Sequence, residues 1–66
     1  MNITLNGKPR HLEQVNTIAE LIAFLGYQGK RIAVEANGDI VPKSRHGDTA
    51  LTDGDQIEIV VAVGGG

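Results

Sequence analysis

The sequence predicts an α+β domain in which one helix packs against one face of a mixed β-sheet. Three observations carry this prediction: one segment of helical periodicity, several segments of alternating apolar and polar residues, and two Asn-Gly turns. A chain of 66 residues allows one domain, and a domain of this size buries only about 60% of its unfolded surface. The hydrophobic content of 41% and the charged content of 21% are typical of an ordinary globular domain.

The first half of the sheet is predicted from the start of the chain. Residues 1–5 alternate apolar and polar side chains, as in a strand with one buried face. Asn6-Gly7 predicts a tight hairpin turn, because both residues tolerate positive φ. The segment at residues 10–13 is short and mostly polar and is expected to form an edge strand. Pro9 lacks an N–H and is expected at the start of a strand or on an edge.

The clearest helix is predicted to begin at Thr17. Thr17 and Glu20 have the spacing of a capping box, in which each side chain accepts a hydrogen bond from the other's backbone N–H. Gly26 is expected to end the helix in a left-handed conformation. Apolar residues between these ends recur at i, i+3, i+4 and i+7, which places them on one face of the helix. They are Ile18, Leu21, Ile22 and Leu25.

A second hairpin follows the helix. Residues 31–36 alternate again, and Asn37-Gly38 turns the chain into a short strand at residues 39–41. Pro42 is expected to end the pairing. A polar surface connection and the turn Asp53-Gly54-Asp55 then lead to the final strand.

The final strand is predicted at residues 57–63 and is rich in β-branched residues. We expect it to lie beside the first strand in the centre of the sheet. Alternate side chains of a strand point to opposite faces, so Ile59 is expected to face the helix, and Val60 and Ala62 the open face. Exposed apolar residues there form a predicted docking patch. The alternative is a face that merely has high β-propensity.

Gly64–66 follow the final strand and have no side chain to pack. The sequence therefore predicts a domain at residues 1–63 and a flexible C-terminal glycine tail at residues 64–66, because no apolar burial offsets the entropy of ordering the glycines. The simpler interpretation of such a tail is a frayed chain end.

Several function classes are disfavoured by composition. The net charge of −2 and two aromatic residues argue against binding to nucleic acid. The chain has no cysteine, and His11 and His46 stand apart, so we expect no bound metal or cofactor. No apolar run is long enough to cross a membrane, which predicts a cytoplasmic protein without membrane contact. No nucleophile and base are arranged as in a catalytic site, which argues against an enzyme.

Six segments, spread over essentially the whole chain, carry a resemblance to a known family. They are residues 17–21, 34–37, 40–42, 51–55, 57–60 and 63–66. They resemble the ThiS family, the small sulfur-carrier proteins of thiamine biosynthesis. The resemblance implies the ubiquitin-like β-grasp fold. A Gly-Gly terminus is shared with ubiquitin-like modifiers and with the small subunit of molybdopterin synthase, but the short length, the Asp-Gly-Asp turn and the triple glycine favour the thiamine branch.

The resemblance also implies a role as a protein co-substrate for partner enzymes. An E1-like adenylyltransferase of the ThiF type would use ATP and magnesium to adenylate the carboxylate of Gly66. A persulfide sulfur donor would convert this carboxylate to a thiocarboxylate, and thiazole synthase of the ThiG type would receive the sulfur. Gly64 and Gly65 lack a Cβ and would allow the tail to enter a narrow channel. Val60, Ala62 and Val63 would contact the partners.

Two other classes of function stay open at this point. A ubiquitin-like modifier would join an activated Gly66 to a target lysine through an amide bond. A plain β-grasp interaction module would have an inert tail, and deletion of its terminal glycines would leave its function unchanged.

Overall fold

The computed structural model describes residues 1–62, which form five strands, one α-helix and one 3₁₀ helix. In chain order the elements are β1 (Asn2–Leu5), β2 (Lys8–His11), α1 (Ile18–Phe24), β3 (Ile32–Ala36), β4 (Asp39–Val41), the 3₁₀ helix (Lys43–Arg45) and β5 (Gln56–Val61). The strands form one sheet in the order β2-β1-β5-β3-β4. β5 is central, parallel to β1 and antiparallel to β3. The α+β architecture and the pairing of the first and last strands are confirmed.

Both hairpins close through the predicted Asn-Gly turns. Asn6 and Gly7 have φ of 50° and 80°, and Asn37 and Gly38 have φ of 53° and 89°. Two consecutive positive φ angles define the type I′ turn, whose twist matches that of the flanking strands. Asparagine and glycine are favoured here because they adopt this backbone conformation at little cost.

The capping box at the start of α1 is confirmed. The Thr17 hydroxyl accepts a hydrogen bond from the N–H of Glu20 at 3.1 Å, and the Glu20 carboxylate accepts one from the N–H of Thr17 at 3.1 Å. Gly26, with φ of 78°, follows the C-terminal capping residue Leu25, so the left-handed end of the helix is also confirmed. These contacts satisfy backbone groups that would otherwise lack partners at the helix ends.

The hydrophobic core lies between α1 and one face of the sheet. Its buried side chains are Ile3, Leu12, Val15, Ile18, Leu21, Ile22, Val34, Val41, Leu51, Ile57 and Ile59. Leu12, Val15 and Leu51 belong to connections rather than to helices or strands. Their burial was not predicted from the sequence, because an isolated apolar residue in a connection has no periodic pattern around it.

The predicted bounds of β2 were wrong. The two-residue turn leaves no loop between the strands, so pairing begins at once with Leu5 opposite Lys8, and β2 ends at His11. Pro9 therefore lies within β2 rather than before it. It pairs with Thr4 on an edge strand, where its missing N–H faces away from β1 and costs no ladder hydrogen bond.

The predicted bounds of β5 also need correction. The strand begins at Gln56 and ends at Val61, rather than running over residues 57–63. The polar connection after Pro42 contains a 3₁₀ helix that the sequence pattern did not indicate. Val63 and residues 64–66 lie outside the described part of the chain, as does the predicted boundary between domain and tail. No helix within residues 1–62 has the length and apolar character needed to span a membrane.

Candidate functional site

The candidate site is the end of β5, from which the predicted reactive tail continues. Ile57 and Ile59 are buried beneath α1, whereas the side chain of Val60 is 66% exposed. Ala62 is also exposed, and its N–H donates to the carbonyl of Arg31 at 2.9 Å, so pairing with β3 reaches the last described residue. The predicted orientation of Val60, Ala62 and Ile59 is confirmed. Val63, Gly64, Gly65 and Gly66 lie outside the described residues.

The open face of the sheet around Val60 combines aliphatic and acidic side chains. Val60 on β5 lies opposite Ala33 on β3. In the neighbouring row across the sheet, Glu58 on β5 lies opposite Glu35 on β3, and Glu35 in turn lies opposite Ile40 on β4. Ile40 is 74% exposed. Within residues 1–62 neither glutamate forms a salt bridge. The face therefore presents two exposed aliphatic side chains beside a pair of facing carboxylates.

The side chains of two asparagines form hydrogen bonds with the backbone of β5, one at Ile59 and one at Gln56. The side chain of Asn6 accepts a hydrogen bond from the N–H of Ile59 at 2.8 Å and donates one to its carbonyl at 3.2 Å. The side chain of Asn37 accepts from the N–H of Gln56 at 2.9 Å and donates to the carboxylate of Asp55 at 3.0 Å. From the sequence, both asparagines are explained by their turns alone. The contacts with β5 were not predicted, because they join residues far apart in the chain.

Both histidines have structural partners rather than the surroundings of a metal site. The ring of His46 lies 3.1 Å from the carbonyl of Val41, so its Nε2–H donates to that oxygen. The ring nitrogens of His11 lie 2.7 Å from the Asn2 side-chain oxygen and 3.3 Å from the Glu13 carboxylate. Residues 1–62 contain no group of three potential metal ligands.

A separate groove of about 630 Å³ lies on the helix side of the molecule, beside the loop that precedes β3. Basic side chains line it, namely Lys30, Arg31, Lys43 and His46. The ammonium group of Lys30 lies 5.8 Å from the centre of the Tyr27 ring, within the range of a cation–π contact. The groove contains none of the predicted site residues.

Comparison with known proteins identifies the family. The model of the ThiS family matches residues 3–66. The sulfur carrier protein ThiS of Bacillus subtilis is 40% identical over 65 residues, which are 97% of this chain and 98% of that protein. The crystal structure of the thiamine biosynthesis protein ThiS from Geobacter metallireducens has 33% sequence identity and a TM-score of 0.83, with all of both chains covered. The β-grasp fold implied by the resemblance is thereby confirmed.

A further relative is much longer than this chain. A thiazole synthase of Paramagnetospirillum magneticum is 41% identical over 66 residues, which are 100% of this chain but 20% of that protein. This chain thus spans about one fifth of the length of that relative. Because the family match extends over nearly the whole sequence and the fold agrees with that of a solved relative, this chain belongs to the ThiS family of sulfur carrier proteins in thiamine biosynthesis.

Proposed function

We propose that this chain carries sulfur as a thiocarboxylate on Gly66. A carboxylate resists nucleophilic attack because its negative charge is delocalised over two oxygens and it has no good leaving group. On an E1-like adenylyltransferase of the ThiF type, a carboxylate oxygen of Gly66 would attack the α-phosphorus of ATP and release pyrophosphate. Magnesium on that enzyme would neutralise phosphate charge during the step. The product is an acyl-adenylate with AMP as its leaving group.

Sulfur would enter in the next step. The terminal sulfur of a persulfide donor attacks the acyl carbon, AMP leaves, and an acyl disulfide forms. Attack by a thiol on the donor's sulfur breaks the S–S bond and releases the thiocarboxylate, with a new disulfide as the oxidised product. Thiazole synthase of the ThiG type is the proposed recipient of this sulfur.

The likeness to a thiazole synthase is the observation that carries this proposal. That relative contains a region that matches this whole chain, within a protein about five times as long. Joining a carrier to the enzyme that consumes its cargo raises the effective concentration of one at the other. We therefore propose that this chain serves a thiazole synthase as a protein co-substrate in the cytoplasm, and that the groups which accelerate each step belong to its partners.

The open face of the sheet is the proposed docking surface. Val60, Ala62 and Val63 would contact partner enzymes beside the tail. Ile40 adds a second exposed aliphatic side chain to this surface. Glu35 and Glu58 lie opposite one another on neighbouring strands, and like charges in such a pair destabilise the sheet. A partner surface with apolar side chains flanked by lysine or arginine would cover the aliphatic groups and relieve this repulsion.

Intact-mass measurement tests the proposed chemistry. The protein is incubated with its adenylyltransferase, ATP, magnesium, a persulfide donor and a thiol. We expect replacement of one carboxylate oxygen by sulfur, with fragmentation placing the change on Gly66. Appending one residue after Gly66 should abolish the change, because the new carboxyl group lies about 3.5 Å farther along the chain.

The other classes of function give different products in the same experiment. A ubiquitin-like modifier would produce a conjugate through a lysine of a target protein, and an inert module would show no change in mass. An unmodified carboxylate on Gly66, with all cognate components present and active on a second carrier, would remove the proposed function.

A further inference from the structure

We propose that Asn6 is a positioning residue that fixes the end of β5, and with it the direction in which the chain continues toward Gly66. The chemical consequence of this role rests on the proposed function, whereas the structural role can be measured alone. Neither the turn at Asn6-Gly7 nor the hydrophobic core requires the contacts between the Asn6 side chain and Ile59.

The side chain of Asn6 replaces a missing segment of the parallel ladder. β1 and β5 are joined by Thr4 N–H to the Asp55 carbonyl and by Asn6 N–H to the Ile57 carbonyl, each at 2.9 Å. The next contact along β5 would need a peptide group beyond Leu5, but the chain turns away at Asn6, where φ is 50°. The side-chain amide has the same donor and acceptor as a peptide group, and it bonds both the N–H and the carbonyl of Ile59.

Among the described residues, this contact lies at the last point where β5 is held from the side of β1. In an antiparallel pair, the N–H and C=O groups of alternate residues point toward the partner strand. Ala62 donates to Arg31 of the β3 side, so Val61, like Ile59, directs its backbone groups toward the β1 side. Within residues 1–62 we find no partner for Val61 on that side. Asn6 is therefore the final hydrogen-bonding contact on the β1 side of β5 within the described residues.

Asn37 provides a matched comparison within the same molecule. It occupies the same position of the same turn type, with φ of 53°, and its side chain also bonds β5. Its contact is with the N–H of Gln56, at the opposite end of the strand from Gly66. Loss of either side chain removes hydrogen bonds to β5, but only loss of Asn6 removes a contact on the β1 side of the strand near the end that carries the tail.

The experiment compares Asn6→Gly with Asn37→Gly. Glycine suits both turn positions, so each variant keeps its type I′ turn. Amide hydrogen exchange of Ile59 should become about tenfold faster in Asn6→Gly than in Asn37→Gly, because a net hydrogen-bond contribution has been lost at that residue. With the adenylyltransferase, kcat should fall about tenfold or more in Asn6→Gly, while the KM for the carrier changes less than about twofold, since the reacting carboxylate is less well placed. Asn37→Gly should keep the kcat of the unmodified sequence.

A third variant distinguishes loss of the Asn6 contacts from a general loss of folding. Asn6→Asp keeps the acceptor for the Ile59 N–H and loses the donor to the Ile59 carbonyl. Its Ile59 exchange rate and its kcat should therefore lie between those of the unmodified protein and those of Asn6→Gly. Equal Ile59 exchange in the two glycine variants overturns the restraint, and an equal fall in kcat overturns the positioning role. If the unmodified protein is never adenylated, the proposed function fails and the catalytic consequence fails with it, while hydrogen exchange still decides the structural role.

Discussion

Replacing Ile59 by alanine tests which side chains of β5 face the core. The side chain is 5% exposed and belongs to the core beneath α1. The substitution removes three carbon atoms, and at about 0.8 kcal/mol per buried CH₂ the transfer loss alone is about 2.4 kcal/mol. A residual cavity adds to this loss, so we expect about 3 kcal/mol within the usual range of about 2–5 kcal/mol. A domain of this length is stable by only about 3–10 kcal/mol, and the variant therefore loses a large fraction of its stability.

Urea unfolding followed by far-ultraviolet circular dichroism measures this loss. With a slope near 1 kcal/mol per molar urea, the midpoint should fall by about 3 M at unchanged slope. Val60→Ala is the control, because the neighbouring side chain is 66% exposed and its truncation should change stability by less than about 0.5 kcal/mol. Equal losses at the two positions would refute the reasoning. A larger loss at Val60 would mean that the strand faces are exchanged, as in a register shifted by one residue.

Three further predictions follow from the helix cap, the open face and the tail. Thr17→Ala should lower the free energy of unfolding by about 1 kcal/mol in the same urea assay, and an unchanged midpoint would show that the capping box contributes nothing. Val60→Asp should keep the urea midpoint within about 0.5 M of that of the unmodified protein. In calorimetry it should weaken binding to the adenylyltransferase by about tenfold or more, and undiminished affinity would exclude Val60 from the docking surface. Gly65→Val should suppress thiocarboxylate formation without moving the midpoint, since its branched side chain would obstruct a narrow channel, and full modification in the mass assay would contradict that role.

The elements that could be predicted from the sequence are those specified by neighbouring residues. Asn6-Gly7 and Asn37-Gly38 define their turns through backbone preference, and Thr17 with Glu20 defines the helix start through bonds within one turn. The alternation in β5 gave the faces of Ile59 and Val60 correctly, because burial on one face imposes a period of two.

The parts that could not be predicted depend on contacts between distant segments. The bonds from Asn6 to Ile59 link residues 53 positions apart, and no local pattern distinguishes an asparagine that only turns the chain from one that also bonds another strand. The end of β5 was misplaced because a β-branched run does not show where its neighbouring strands stop. At the candidate site, the orientation of Val60 was predictable, whereas its acidic neighbours Glu35 and Glu58 meet only through the pairing of β3 with β5.

The central position of β5 has a mechanical consequence if, as proposed, the end of this chain enters a partner enzyme. Tension applied beyond Ala62 acts along the strand, while its backbone hydrogen bonds to β1 and β3 run across it. The force is therefore shared among several hydrogen bonds that are loaded in shear. When an edge strand is peeled from a sheet, by contrast, the bonds break one after another. Under the proposed function, a partner that draws the chain end into its channel would pull against a strand that is paired on both sides, so the domain would stay folded while its terminus reacts.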